Sequence, residues 1–106
     1  MKIQLKKGVL EMCVLSVLAR GDSYAYEIVS TLSSTMGISE GTIYPLMRRL
    51  EAEQFVSTYL SQSSNGPARK YYSLTESGRL ALRQMQREWQ EFVGDVEQVI
   101  QQGIAK

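Results

Sequence analysis

The sequence of 106 residues has no histidine and one cysteine, Cys13. An internal disulfide is therefore excluded, and so are the usual zinc sites, because these combine several His and Cys ligands. Cys13 lies in an apolar run and is expected to be a small buried residue, not a nucleophile. Without a histidine, a metal-ligand cluster or a glycine loop that would cradle phosphate, the sequence predicts no catalytic residue, no metal and no cofactor. It is therefore not expected to be an enzyme.

Long apolar runs are also missing. The most apolar stretch, residues 9–19, is too short to cross a membrane and contains Glu11. Because no secretory signal is recognisable either, the chain is predicted to be cytoplasmic and to have no membrane partner. Its length predicts a modest core that a second chain would complete.

The charge is nearly balanced but unevenly distributed. A formal net charge of +1 does not by itself indicate a nucleic-acid-binding protein. However, residues 1–87 contain 11 Lys and Arg against 7 Asp and Glu, whereas residues 88–106 contain 1 Lys against 4 acidic residues. We therefore expect the acidic end to point away from any polyanion.

Residues 38–51 form the stretch around which the chain is organised, with Ser39 as the predicted N-cap of a helix. The apolar residues of this helix recur at the spacing of one buried face. They are Ile43, Leu46, Met47 and Leu50. The outward face carries Gly41, Tyr44, Pro45 and Arg48, with Thr42 and Arg49 at its flanks. Such a face suits a helix in the major groove, with both arginines reaching phosphate or guanine. The alternative is an ordinary amphipathic helix, bent at its proline, with a solvated basic end.

Two further helices are predicted before this one. The first, at about residues 8–19, is apolar on two faces, of which one is expected to pack in the chain's own core. The other face, which includes Met12 and Leu15, is expected to pack against a second chain. A second helix, at about residues 24–35 with Ser23 as its N-cap, is joined to the following helix by a short turn that contains glycine. This arrangement predicts a helix-turn-helix.

Two strands, at residues 55–61 and 68–74, are predicted from their β-branched and aromatic residues. The polar segment between them is typical of a hairpin tip, and a hairpin directly after a recognition-type helix is a wing. A hairpin that only faces solvent is the alternative. The candidate DNA contacts of the wing are Arg69 and Lys70 for phosphates and Asn65 and Gly66 for the minor groove.

Thr75 is predicted to cap a last helix that runs to about Gly103. Apolar side chains on this helix alternate in steps of three and four, which is typical of a helix that packs against another helix. We therefore predict a homodimer in which two copies of the last helix meet each other and the spare face of the first helix. A basic stripe at its start, formed by Arg79, Arg83 and Arg87, is interpreted as a solvated face. The predicted interface residues are Met12, Leu15, Leu82, Met85, Trp89, Phe92, Val96 and Val99.

Three blocks of the sequence, in order, resemble the PadR-like family of bacterial transcriptional regulators. They span residues 21–28, 41–51 and 66–78 and read GDSYAYEI, GTIYPLMRRLE and GPARKYYSLTESG. The last helix resembles that of the short members, which end in a single dimerisation helix. The resemblance implies a mainly α fold with a small β-hairpin (α+β), with a winged helix-turn-helix domain in residues 1–75 and a dimerisation helix in residues 76–106.

The resemblance also implies a homodimeric repressor that binds palindromic operator DNA and is released by a small molecule. A winged-helix adaptor that binds proteins and not DNA is the alternative, and it predicts partner binding that does not depend on salt. The positions that match the family's DNA contacts are Tyr24, Tyr26, Ser39, Gly41, Thr42, Tyr44, Pro45, Arg48, Arg49, Asn65, Gly66, Pro67, Arg69 and Lys70.

Trp89, the only tryptophan, lies in the middle of the apolar seam, where a two-fold axis would bring it near its copy. Two facing indoles can sandwich a planar aromatic molecule, and some short PadR-like regulators sense drugs or phenolic acids. The alternative is that Trp89 only fills the interface. The candidate ligand-binding residues are Gly8, Glu11, Met12, Leu15, Trp89, Phe92, Val93 and Val96.

Overall fold

The structure is a computed structural model that describes residues 3–62 and 65–104, with side chains for residues 9–62 and 65–104. The predicted mainly α architecture with a small β-hairpin is confirmed. No helix in the described part of the chain is long and apolar enough to cross a membrane. In chain order the elements are α1 (Ile3–Ala19), β1 (Ser23–Tyr24), α2 (Ala25–Met36), α3 (Glu40–Ala52), β2 (Val56–Ser61), β3 (Arg69–Leu74) and α4 (Glu76–Ile104).

The helix α1 lies at the centre of the fold, where it contacts α2, α3, β3 and α4. It begins at Ile3 and not near Gly8, because the apolar pattern used to place its start does not include the polar turn before it. Apolar side chains from six elements and from the turn before α3 meet around α1, and each such buried side chain stabilises the fold by ~1.5–3 kcal/mol. The buried core consists of Leu10, Val14, Leu15, Leu18, Ile28, Leu32, Ile38, Ile43, Leu46, Met47, Leu50, Val56, Tyr72 and Leu82.

The turn between α2 and α3 has the geometry of a helix-turn-helix. Gly37 ends α2 in a left-handed conformation with φ of 67°, and its N–H donates to the carbonyl of Ser33 at 2.9 Å. A residue with a side chain is strained in this conformation, so glycine is favoured there. The turn is short, because α2 ends at Met36 and α3 begins at Glu40, as the sequence predicted.

The three strands form one antiparallel sheet in the order β1–β3–β2. β2 and β3 pair along their full length as the predicted wing hairpin. β1 was not predicted; its Ser23 pairs with Tyr72 and its Tyr24 with Tyr71. Because Ser23 lies in this strand, Tyr24 occupies the N-cap position of α2, and the prediction that Ser23 caps this helix was wrong.

A hydrogen-bonded joint holds the start of α4 against the end of α3. Gln54 follows α3 with a positive φ of 64°, and its carbonyl accepts hydrogen bonds from the hydroxyls of Thr75 at 2.7 Å and Ser77 at 3.0 Å. The Thr75 hydroxyl oxygen also accepts the N–H of Gly78 at 3.0 Å, which confirms the predicted cap of α4. The direction in which α4 leaves is thus fixed by the turn that follows α3.

Only the first turns of α4 pack against the elements α1 to β3, which we call the head. Gly78 and Leu82 are buried there and Met85 is half-buried. With 29 residues, α4 is about 43 Å long at ~1.5 Å per residue, and the chain extends 61 Å in its longest dimension. Gln86, Trp89 and Gln90 still line a cleft with α1 and α2, and the part of α4 beyond Gln90 projects from the head.

Candidate nucleic-acid interface

The outward face of α3 is formed by the predicted residues. Gly41, Pro45 and Arg48 are exposed, and Tyr44 is partly buried at one side. The four apolar residues of α3 that were predicted to be buried are all in the core. The solvent-exposed part of this face therefore has small side chains at its start and a basic side chain further along.

Ser39 occupies the predicted N-cap position of α3, with φ of −82° and ψ of 156°. Its carbonyl accepts the N–H groups of Thr42 at 3.1 Å and Ile43 at 3.2 Å. Its hydroxyl lies 3.4 Å from that of Thr42 and does not cap a backbone N–H. Both hydroxyls are exposed beside the outward face, so they remain available as donors or acceptors.

The two adjacent arginines of α3 have different surroundings. Arg49 forms an ion pair with Glu11 of α1, and its Nε lies 4.0 Å from the carboxylate of Glu53. Arg48 is exposed and forms no ion pair with any side chain that the structure describes. Of the two predicted contacts, Arg48 is therefore free for a DNA phosphate or base, whereas Arg49 is held by carboxylates toward α1.

The two basic residues of the wing also differ. Lys70 points to α3, where its Nζ lies 3.6 Å from a carboxylate oxygen of Glu51 and 5.4 Å from the centre of the Tyr72 ring. The guanidinium of Arg69 lies on the other face of β3, 4.5 Å from the centre of the Tyr24 ring. Arg69 is exposed and has no carboxylate partner among the described residues. A cation over an aromatic ring keeps its charge, and the contact orients it.

Tyrosines cover the face of the sheet on which Arg69 lies. The rings of Tyr24 and Tyr26 are 6.5 Å apart and those of Tyr24 and Tyr71 are 5.6 Å apart. Tyr59 stacks on Tyr71 at 5.6 Å, and its hydroxyl donates to the Asp22 carboxylate at 2.7 Å. This hydrogen bond raises the pKa of Tyr59, because the negative carboxylate disfavours the phenolate. Tyr24 and Tyr26, both predicted contacts, are thus placed next to Arg69.

The tip of the wing is polar and exposed. Asn65, Gly66 and Pro67 all face solvent. The side-chain amide of Gln62 donates to the carbonyl of Gly66 at 3.1 Å, which closes the tip. The predicted tip residues are therefore accessible to a ligand, and they lie at the end of the sheet that carries Arg69.

A cleft between α2 and α3 contains residues that the sequence analysis missed. Its volume is about 340 Å³, and predicted contacts Tyr26 and Tyr44 line it. The other polar lining residues are Ser30, Ser33, Ser34 and Glu40. Hydroxyl groups of this kind donate hydrogen bonds to DNA phosphates without carrying charge. The spacing of the serines on one side of α2 was the signal available in the sequence.

The candidate ligand residues are only partly brought together. A cleft of about 470 Å³ between α1, α2 and α4 is lined by Met12 and Trp89, and also by Cys13, Arg20 and Met36. Burial raises the pKa of the Cys13 thiol, which keeps it neutral. The remaining candidates do not line this cleft: Phe92, Val93 and Val96 lie further along α4, Glu11 pairs with Arg49, Leu15 is in the core, and Gly8 lies outside the residues whose side chains are described.

Two residues of the predicted dimer interface have to be corrected. Leu15 is 0% exposed and Leu82 is 5% exposed within the chain itself. Both complete the core of the head, so they have no surface left to offer a second chain. The distal seam residues are different, because Phe92 is 52% exposed and Val99 is 68% exposed. Trp89 and Val96 are also exposed, and Met12 and Met85 are half-buried.

Comparisons with known proteins agree with this geometry. The sequence profile of the transcriptional regulator PadR-like family matches residues 14–84. A protein of Lysinibacillus sphaericus, itself uncharacterised, is 33% identical over 89 residues, which cover 80% of this chain and 82% of that protein. A Streptococcus transcriptional regulator of known structure is 37% identical with a TM-score of 0.84, over 92% of this chain and 98% of that one. A PadR-like transcriptional regulator from Bacillus cereus is 36% identical with a TM-score of 0.85, over 92% and 97% of the two chains. The chain belongs to the PadR-like family of transcriptional regulators.

Proposed function

We propose that this regulator binds double-stranded operator DNA through the outward face of α3 and through the wing. The observation that carries the proposal is the placement of two exposed arginines, Arg48 on α3 and Arg69 on the wing, neither of which has a carboxylate partner among the described residues. A helix with small residues at its start and a guanidinium further along fits the major groove. An exposed arginine on the wing fits the flanking phosphates.

The proposal includes a homodimer, with residues 1–75 as the DNA-binding domain and residues 76–106 as the dimerisation helix. Its support is the exposed apolar strip on the projecting part of α4, which includes Phe92, Val96 and Val99. Apolar patches of this kind mark protein interfaces, and a second copy would cover the strip with its own. Because a two-fold dimer presents two α3 helices, we expect a palindromic operator with half-sites about 34–36 Å apart.

We further propose that the protein is a repressor and that a small ligand releases it from DNA. Support comes from the cleft between α1, α2 and α4, which is lined by Met12 of α1 and Trp89 of α4. A planar aromatic molecule is the candidate ligand, because indole rings stack on such molecules. Titration of Trp89 fluorescence with planar cationic dyes tests this part. Unchanged emission across a varied panel would contradict ligand release and leave the DNA proposal standing.

Selection of bound sites from random duplex DNA by the purified protein tests the main proposal. The wild-type chain is expected to enrich a symmetric site with the half-site spacing given above. Arg48→Ala is expected to weaken binding to that site by ~1.5–3 kcal/mol, because the charge-assisted hydrogen bonds of its guanidinium to DNA are lost. Arg83→Ala is the matched control, because it removes the same charge from an exposed arginine of α4 that is outside the proposed interface.

The same experiments distinguish DNA binding from the alternative of a winged-helix adaptor that binds only proteins. Binding that falls steeply as salt rises is expected for phosphate contacts. A chain that enriches no duplex sequence and is not retained on DNA in dilute buffer would refute the proposal. Sedimentation of the wild type as a monomer at the concentrations used for binding would refute the dimer.

A further inference from the structure

Glu51 links the end of α3 to both strands of the wing. One of its carboxylate oxygens lies 3.6 Å from Lys70 Nζ on β3. The other accepts a hydrogen bond from the Thr58 hydroxyl on β2 at 3.1 Å. The carboxylate thus bridges the element proposed to enter the groove and the element proposed to flank it. Glu51 follows Arg48 by three positions on α3, so the two residues are neighbours on the surface of this helix.

The contact changes the charge that the head offers to DNA. Lys70 was predicted to hold a phosphate, but with Glu51 it forms a pair without net charge. A neutral pair releases no counterion when a phosphate approaches, so it adds nothing to the salt dependence of binding. A lysine that leaves the pair to bind phosphate would leave Glu51 facing the DNA backbone alone. This rearrangement is unfavourable, because a DNA phosphate repels a carboxylate that has lost its cationic partner.

We propose that Glu51 is a positioning residue that keeps Lys70 from DNA phosphate and fixes the wing against α3. This inference rests on the proposed function, because it concerns the same DNA-binding face. Lys70 stays on Glu51 in the bound complex, and the cations that touch phosphate on each head include Arg48 and Arg69 but not Lys70. The affinity of the regulator is thereby lower, and less sensitive to salt, than its sequence alone indicates.

The decisive variant is the double substitution Glu51→Gln with Lys70→Gln. It removes both charges of the pair, conserves the net charge and keeps side chains of similar size, and the amide introduced on α3 keeps an oxygen for the Thr58 hydroxyl. Operator affinity is measured from about 50 to 200 mM salt, and the slope of log affinity against log salt is compared. The double variant is expected to keep the wild-type slope. A slope shallower by about 0.9 per head would show that Lys70 neutralises a phosphate in the wild type and would overturn the inference.

The single substitution Glu51→Gln is expected to change the salt slope, unlike the double variant. It frees Lys70, so the slope should become steeper by about 0.9 per head, or about 1.8 for a dimer. The affinity gain over wild type should then shrink about 12-fold between 50 and 200 mM salt. Glu97→Gln is the matched control, because it removes one acidic charge from an exposed position on distal α4 and should leave the slope unchanged. An unchanged or shallower slope for Glu51→Gln would overturn the inference.

The outcomes also separate this inference from the proposed function. If wild-type protein binds its operator and only the slopes of the Glu51 and Lys70 variants disagree, the role of Glu51 is refuted and DNA binding stands. If the wild type does not bind duplex DNA even at about 50 mM salt, both are refuted. Circular dichroism of each variant shows whether the helices are retained.

Discussion

Replacing Gly78 by alanine is expected to destabilise the fold strongly. Gly78 lies in the first turn of α4, where a Cβ atom would lie 2.0 Å from the carbonyl oxygen of Phe55 and 2.8 Å from Leu74 Cδ1. The nearer atom belongs to the backbone and cannot rotate away. The same carbonyl accepts a hydrogen bond from the N–H of Thr75 at 3.1 Å and lies 3.0 Å from the Thr75 hydroxyl, which shares its one proton between the Gln54 and Phe55 carbonyls. A methyl group can therefore be accommodated only if α4 moves away from the end of α3.

The expected magnitude combines three effects. Forcing an extra carbon into a packed site costs ~1–3 kcal/mol. Moving α4 also weakens two hydrogen bonds to the Phe55 carbonyl, each of which contributes ~0.5–1.5 kcal/mol. Alanine offsets part of this loss, because it is a better helix former than glycine by ~1 kcal/mol. We therefore expect Gly78→Ala to lower the free energy of unfolding by ~1–5 kcal/mol.

Gly94→Ala is the matched control for this substitution. Gly94 lies in the exposed part of the same helix, and a Cβ atom there would have no neighbour within 4 Å. Gly94→Ala should raise the free energy of unfolding by ~0.5–1 kcal/mol through helix propensity alone. Urea unfolding followed by circular dichroism measures both variants, at equal protein concentration because assembly makes stability depend on concentration. Gly78→Ala with the stability of the wild type or of Gly94→Ala would refute the steric argument.

Three further substitutions test other contacts. Thr75→Val removes the cap of α4 and the hydroxyl bonds to the turn after α3, and should cost ~1–2 kcal/mol in urea unfolding. Arg48→Ala should make the salt dependence of operator binding shallower by about 0.9 per head, whereas Arg49→Ala should leave it near the wild-type value, because carboxylates already hold that guanidinium. The hydrogen bond to Asp22 raises the pKa of Tyr59, so the folded state favours the protonated phenol. Its stabilisation is present below the ordinary phenol pKa near 10 and is lost as the pH rises through the raised value. Tyr59→Phe should therefore lose less stability than wild type between pH 9 and 12.

Each of these predictions has an outcome that contradicts it. Thr75→Val with unchanged stability would mean that the joint between α3 and α4 contributes little. Equal salt dependence for the two arginine variants would mean that the ion pairs of Arg49 open on DNA. If the wild type and Tyr59→Phe lose the same stability at high pH, the hydrogen bond to Asp22 does not persist in solution.

The elements that the sequence predicted well are those whose pattern is local. The buried face of α3 follows from apolar residues three and four positions apart, and all four are in the core. The wing follows from two runs of β-branched and aromatic residues with a polar tip between them. β1 could not be predicted, because its two residues form a strand only through pairing with β3, which lies far along the chain. Tertiary pairing thus also moved the N-cap of α2 from Ser23 to Tyr24.

For the candidate site, the sequence predicted which residues lie on the surface but not which of them are free. Arg48 and Arg49 are neighbours in the chain, and the wing carries the adjacent pair Arg69 and Lys70. In each pair, one cation meets a carboxylate from another element and the other does not. This difference depends on packing between elements that are distant in sequence, such as the contact of Glu11 on α1 with α3. Residue composition therefore overestimates the positive charge available to DNA.

The burial of Leu82 changes how the last helix is connected to the rest of the molecule. A seam that began at Leu82 would leave the whole of α4 to the partner, with a flexible connection to the head. Instead, Gly78 and Leu82 are buried in the head, and the hydrogen bonds of Thr75 tie the first turn to the end of α3. The exposed apolar strip begins only after Met85, on the same continuous helix. A second copy that binds this strip would therefore constrain the orientation of α3. The constraint is transmitted along α4, because the hydrogen-bonded joint leaves little freedom between the first turn of α4 and the end of α3.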